Sequence, residues 1–124
     1  MSLTENPPVL VVEDESLVRL LVVQALQEAG YQVHEAGEAC GAMQTLRAHE
    51  GVSLMVTDVG LPGLDGRRLA ERARALRPGL KILFMTGYGE PQLEDGPLPQ
   101  GVDLITKPFA LNELAARAAA LIAG

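Results

Sequence analysis

Five short runs of β-branched and aliphatic residues punctuate the chain, at 9–12, 31–35, 53–57, 81–85 and 102–106. The first, third and fourth are nearly continuously apolar, the pattern of parallel strands covered on both faces. Between the runs, apolar positions recur with helical spacing. Val18, Val22, Ala25, Leu26 and Ala29 form one stripe, which Gly30 stops. Ala39, Ala42, Met43 and Leu46 form a second. A third begins at Asp65, a residue type suited to an N-cap, carries Leu69, Ala73 and Leu76, and ends at Pro78-Gly79. The last carries Leu111, Leu114, Ala118, Leu121 and Ile122. The fourth connection, 87–101, breaks the pattern, because Pro91, Gly96, Pro97 and Pro99 limit it to a short or irregular helix. Strict strand–helix alternation with right-handed crossovers predicts an α/β fold, a doubly wound five-stranded parallel sheet with helices on both faces. Residues 1–8 read as a flexible leader and 9–124 as one domain.

Composition narrows the function classes. Only 3% of the residues are aromatic, so the core must be aliphatic. A formal charge of -6 argues against a nucleic-acid or anionic-membrane partner, which would need a basic face. Arg67 and Arg68 are too small a patch to change that. The single cysteine, Cys40, has no internal partner and reads as a small packing residue in the second helix. A reducing, cytoplasmic setting fits. No apolar run approaches the roughly 20 residues that span a bilayer. His34 and His49 have no partner at ligand spacing and read as structural or surface residues.

The chemistry gathers at strand ends. In open α/β sheets ligands bind beyond the carboxyl ends of the strands. Glu13, Asp14 and Glu15 follow the first strand, Asp58 the third, Thr86 the fourth and Lys107 the fifth. Glu13, Asp14 and Asp58 would repel one another unless a hard cation joined them, and all-oxygen ligation with room for water favours Mg²⁺. A carboxylate can attack phosphorus to form an acyl phosphate, with catalysis resting on positioning and charge neutralisation. Lys107 is suited to pair with phosphoryl oxygens and the Thr86 hydroxyl to donate to one of them, with space left at Gly87.

The stretches Val9-Leu-Val-Val-Glu-Asp-Glu15, Thr57-Asp-Val-Gly-Leu-Pro-Gly-Leu-Asp-Gly66, Phe84-Met-Thr-Gly-Tyr88 and Lys107-Pro-Phe109 resemble the signature blocks of response-regulator receiver domains of two-component phosphorelays. The resemblance covers the chain after residue 8 and extends to the Phe-X-Thr-Gly-Tyr subset and to receivers of hybrid sensor kinases. It implies the flavodoxin-like (βα)5 fold with strand order 2-1-3-4-5, an order that belongs to the family and is not read from periodicity. It further implies that Asp58 is the phosphoacceptor, that Glu13, Asp14, Asp58 and the Gly60 carbonyl surround Mg²⁺, and that Thr86 and Lys107 are the signalling pair. A cis Lys107-Pro108 bond is expected. The implied partner is a histidine kinase or histidine phosphotransfer domain, which receivers meet at the start of the first helix. Leu17, Leu20 and Leu21 cluster there on the side marked as solvent-facing by Gln24, Gln27 and Glu28, and are read as the docking patch.

Three positions depart from the common receiver pattern. Leu104 stands where many receivers carry a switch aromatic, leaving Tyr88 as the nearby ring and the 87–101 loop as the element expected to reorder. Gly60 offers no side chain to a hydrolytic water. The proline-rich connection weakens the face many receivers use to pair, so a weak or absent homodimer is expected. Three other functions compete. A receiver-like module signalling without phosphorylation would not need the intact Glu13/Asp14/Asp58/Thr86/Lys107 set. A Mg²⁺-dependent aspartyl-phosphate phosphatase would need a second Asp as general acid where Gly60 stands, so the chain is not read as an enzyme. A flavin site would place a phosphate against Glu13-Asp14-Glu15, which would repel it.

Overall fold

A computed structural model describes residues 6–61, 63–87 and 98–124. Its strands are β1 (Val9–Val12), β2 (Val33–Ala36), β3 (Leu54–Asp58), β4 (Lys81–Thr86) and β5 (Val102–Thr106). The described helices are α1 (Ser16–Glu28), α2 (Ala39–Ala48), α3 (Gly66–Leu76) and α4 (Leu111–Ala123). All pairings are parallel, in the order β2-β1-β3-β4-β5. The expected irregular helix between β4 and β5, and Tyr88 with it, lies outside the described residues.

Strand alternation divides the core into two layers. Leu10, Val12, Met55, Ile82 and Phe84 pack with Ala42 and Leu46 of α2 and Leu69 and Ala73 of α3. Val9, Val11, Val56, Leu83 and Met85 pack with Val22 and Leu26 of α1 and Leu114 and Ala118 of α4. Helices α1 and α4 therefore share one face of the sheet, and α2 and α3 the other. The continuous apolar runs of β1, β3 and β4 follow from this, since both faces of each are covered.

The helix ends are as the sequence reads them. At Gly30, φ is +101°, and the Gly30 and Tyr31 N–H groups donate to the Gln27 and Leu26 carbonyls. This is a Schellman closure, with Tyr31 buried beside Leu26. It also moves the start of β2 from residue 31 to Val33, because the Tyr31 amide is committed to the helix cap. The Asp65 side chain accepts from the Arg68 N–H at 3.0 Å. The Lys107-Pro108 bond is cis.

Several sequence expectations are corrected. Cys40 is exposed, and its neighbours Ala39 and Ala42 do the packing. In α1, Ala29 is exposed and Val23 takes a buried place outside the expected stripe. Leu76 and Leu111, in terminal helical turns, are 44% and 37% exposed. Pro8, placed in the leader, lends its carbonyl to the Ser53 N–H at 3.1 Å and so extends the β1–β3 edge.

Candidate functional site

The carboxyl ends of β1, β3, β4 and β5 bring together the residues that the sequence singled out. Asp58 is the last residue of β3, in register with Met85, and Thr86 follows as the last residue of β4. Lys107 is the first residue after β5, and its N–H donates to the Thr86 carbonyl at 2.6 Å. That bond extends the β4–β5 ladder and fixes where the lysine leaves the sheet. The Lys107 Nζ then donates to Glu13 Oε1 and to Asp58 Oδ1, each at 3.1 Å.

Burial separates the three acids. Glu13 is fully buried, Asp58 nearly so, and Asp14 is exposed. Their carboxylate oxygens lie within 4.8 Å of one another, close enough to share a metal ion. Burial pushes the Glu13 carboxyl above its ordinary pKa; the Glu15 N–H opposes this, the Asp58 charge adds to it, and Lys107 counters both. Burial by itself would lower the Lys107 pKa, but the hydrogen bond to Asp58 and the Glu13 and Asp58 charges outweigh it, so the net shift is upward. The lysine therefore stays charged, serving as the cation of a pocket holding an excess of negative charge. That residual excess, oxygen-only donors and an open side at Asp14 suit a hard divalent cation. Gly60, two residues past Asp58, is exposed, and Thr86 is half-buried. Leu104, at the missing-aromatic position, packs against the core layer of α2 and α3.

Three contributors had no clear signal in the sequence. Arg19, on α1, donates to the Glu13 carbonyl at 2.7 Å and to Glu35 Oε1 at 3.0 Å, pinning the acidic loop to the end of β2. Nothing in a helical arginine announces that reach. The Thr57 hydroxyl donates to the Asp58 carbonyl at 3.1 Å. Gly66 sits against the Asp58–Val59 peptide, its N–H donating to the Val59 carbonyl at 2.8 Å. The Asp65-Gly66 pair was legible as a helix entry, but not as a contact to Asp58.

The response regulator receiver domain profile matches residues 9–119, most of the chain. The chain is a response regulator receiver domain. This receiver domain is 37% identical over 107 residues to the response regulator receiver protein CpdR of Brucella abortus, a match covering 86% of this chain and 88% of that protein. It is also 37% identical over 115 residues to the sensor kinase CckA of Brucella abortus, covering 91% of this chain but only 12% of the kinase. Among solved structures, the receiver domain of hybrid histidine kinase CckA superposes with a TM-score of 0.78 at 29% identity, covering 93% of this chain and 98% of that one. A receiver domain from Clostridium thermocellum, at 18% identity and a TM-score of 0.81, shares the fold. The expected family and strand order are thus both borne out, and the receiver belongs to two-component signalling. Among the described residues no helix is long and apolar enough to cross a membrane.

Proposed function

We propose that Asp58 accepts a phosphoryl group from a phosphohistidine of a histidine kinase or histidine phosphotransfer domain, with Mg²⁺ bound by Glu13, Asp14, Asp58 and the Gly60 carbonyl. The observation that carries this reading is the Lys107 ammonium at 3.1 Å from both Glu13 and Asp58, beside an acid cluster compact enough for a cation. An Asp58 carboxylate oxygen attacks phosphorus, the P–N bond breaks as the P–O bond forms, and the imidazole nitrogen keeps the electron pair. In this reading Lys107 turns from Glu13 and Asp58 to the phosphoryl oxygens, and Thr86 donates its hydroxyl to one of them. Mg²⁺ supplies charge neutralisation between the acids and the incoming phosphoryl group. Gly60 provides no general acid, so the domain acts as an acceptor and not as a turnover phosphatase.

The kinase-side contact is assigned to Leu17, Leu20 and Leu21, which are 68%, 50% and 42% exposed at the start of α1 next to the pocket. They follow the Glu13-Asp14-Glu15 loop directly along the chain, on the helix that leads away from the acidic cluster. A cytoplasmic location and a weak or absent homodimer complete the reading.

The test is phosphorylation by acetyl phosphate with Mg²⁺, followed by mass spectrometry. Wild type gains one phosphoryl group and Asp58→Ala gains none. Leu17→Ser with Leu21→Ser keeps the acetyl phosphate rate and slows transfer from a phosphorylated kinase. An Asp58→Ala protein that still gains the group sinks the assignment. No phosphorylation of wild type points instead to a module that signals by contact alone.

A further inference from the structure

Helix α3 concentrates positive charge in an acidic chain. Five of the ten Lys and Arg residues lie between 67 and 77 (Arg67, Arg68, Arg72, Arg74 and Arg77), although the chain carries -6. Two have internal roles. Arg74 donates to the Gln100 carbonyl, and Arg77 to carbonyls at the end of α2. The other three have none: among the described residues, Arg67, Arg68 and Arg72 form no ion pair. The Arg67 Nε is buried with no hydrogen-bond partner among the described residues. The acid at the head of the helix, Asp65, is occupied by the Arg68 N–H.

These three arginines line an open hollow of about 550 Å³ together with Asp65 and Glu71, so guanidinium groups outnumber carboxylates there by three to two. Arg72 also borders a second hollow, about 490 Å³, in the groove between α2 and α3, where Ala39, Met43, Leu64 and Arg47 contribute beside a single acid, Glu38. A cationic half and a partly aliphatic half thus meet at Arg72. Arg67 and Arg68 adjoin in the sequence; the fold adds Arg72 and Arg47 to them.

We infer that the α2–α3 face is a second docking surface, and that its occupant is an acidic amphipathic protein segment. Guanidinium groups pair with carboxylates in a forked geometry, and Met43 and Leu64 accept aliphatic side chains between them. Nucleic acid fits less well, because the whole chain repels polyanions and the groove lining includes no aromatic ring on which a base could stack. The surface lies across the sheet from α1, so a kinase at Leu17, Leu20 and Leu21 leaves it free. It does not depend on Asp58 being the acceptor.

The probe is a fluorescein-labelled peptide with Glu and Leu on opposite helical faces, titrated with the full chain and read by anisotropy. Binding is expected to weaken at least about tenfold in Arg68→Glu/Arg72→Glu, the scale of a few surface ion pairs reversed in sign. Arg68→Gln/Arg72→Gln should fall between, and circular dichroism checks that both variants fold. Met43→Ser should weaken the Leu-bearing peptide but not a Glu/Ser version of it. No binding to wild type, no loss in either arginine variant, or equal binding of a single-stranded oligonucleotide would each overturn the inference.

Discussion

At the scale of single residues, Asp58 is held as tightly from behind as from the front. Lys107 fixes the Asp58 carboxylate, and Gly66 fixes its peptide. A Cβ on residue 66 would lie 2.2 Å from the Asp58 carbonyl oxygen and 2.9 Å from the Val59 Cα, contacts with backbone that cannot swing away. The first turn of α3 must therefore move off the β3 end, or Asp58 must move with it. Gly66→Ala is expected to cost roughly 1–3 kcal/mol, as overpacking does. It should also slow acetyl phosphate labelling of Asp58 by more than the loss of folded protein explains. Urea denaturation and labelling kinetics measured together separate the two effects. An unchanged midpoint with an unchanged rate would mean that Gly66 is only a helix entry.

At the scale of elements, the C-terminal end of α2 is secured by residues whose roles are invisible in the sequence. The Arg77 guanidinium reaches from the end of α3 to the carbonyls of Leu46, His49 (3.1 Å) and Val52 (3.3 Å). A cation there satisfies the orphan Leu46 carbonyl, ties the end of α2 to the loop through His49 and Val52, and complements the helix dipole. Arg77→Ala should lose about 1–3 kcal/mol of unfolding free energy, the worth of hydrogen bonds to a charged donor. Arg77→Lys should recover only part of that, because a point ammonium cannot span three carbonyls. Equal midpoints for Arg77→Lys and wild type would refute the forked anchor. Beside it, His34 of β2 stacks on His49 with ring centroids 4.0 Å apart. Burial lowers the His34 pKa below 6.5, and the charge of His49 adds to the effect. The folded state thus binds fewer protons than the unfolded chain. Its contribution is fully present above pH 6.5 and is lost as pH falls toward the folded-state pKa. Denaturation of wild type and His34→Gln between pH 8 and about pH 5 should show the wild type losing more stability over that window. Parallel profiles would dismiss the histidine as a contributor.

At the scale of the whole molecule, legibility follows from how many neighbours a feature needs. The strands were readable because both faces of β1, β3 and β4 are covered, so Val9–Val12 and Leu54–Asp58 are buried in every residue and Lys81–Thr86 in all but its two ends. The acids and Thr86 were readable because each marks the end of such a run, and Lys107 because it follows the fifth strand. Exposure of Cys40 and Leu76, the His34–His49 stack and the reach of Arg19 and Arg77 depend on which element lies alongside, and no local pattern encodes that. The same division applies to energetics. Glu13 is fully buried and Asp58 nearly so, and a single ammonium bridges them. The folded state therefore concentrates negative charge that the unfolded chain disperses, and a cation that binds only the folded cluster must stabilise the whole domain. Linkage sets the size, about 2.7 kcal/mol at Mg²⁺ one hundred times its dissociation constant. Thermal unfolding should shift upward with Mg²⁺ and return on chelation. Asp14→Asn, an exposed position whose change leaves the core intact, should remove most of the shift while barely altering the metal-free midpoint. If Asp14→Asn responds to Mg²⁺ as wild type does, the cation is not held by the cluster of Glu13, Asp14 and Asp58.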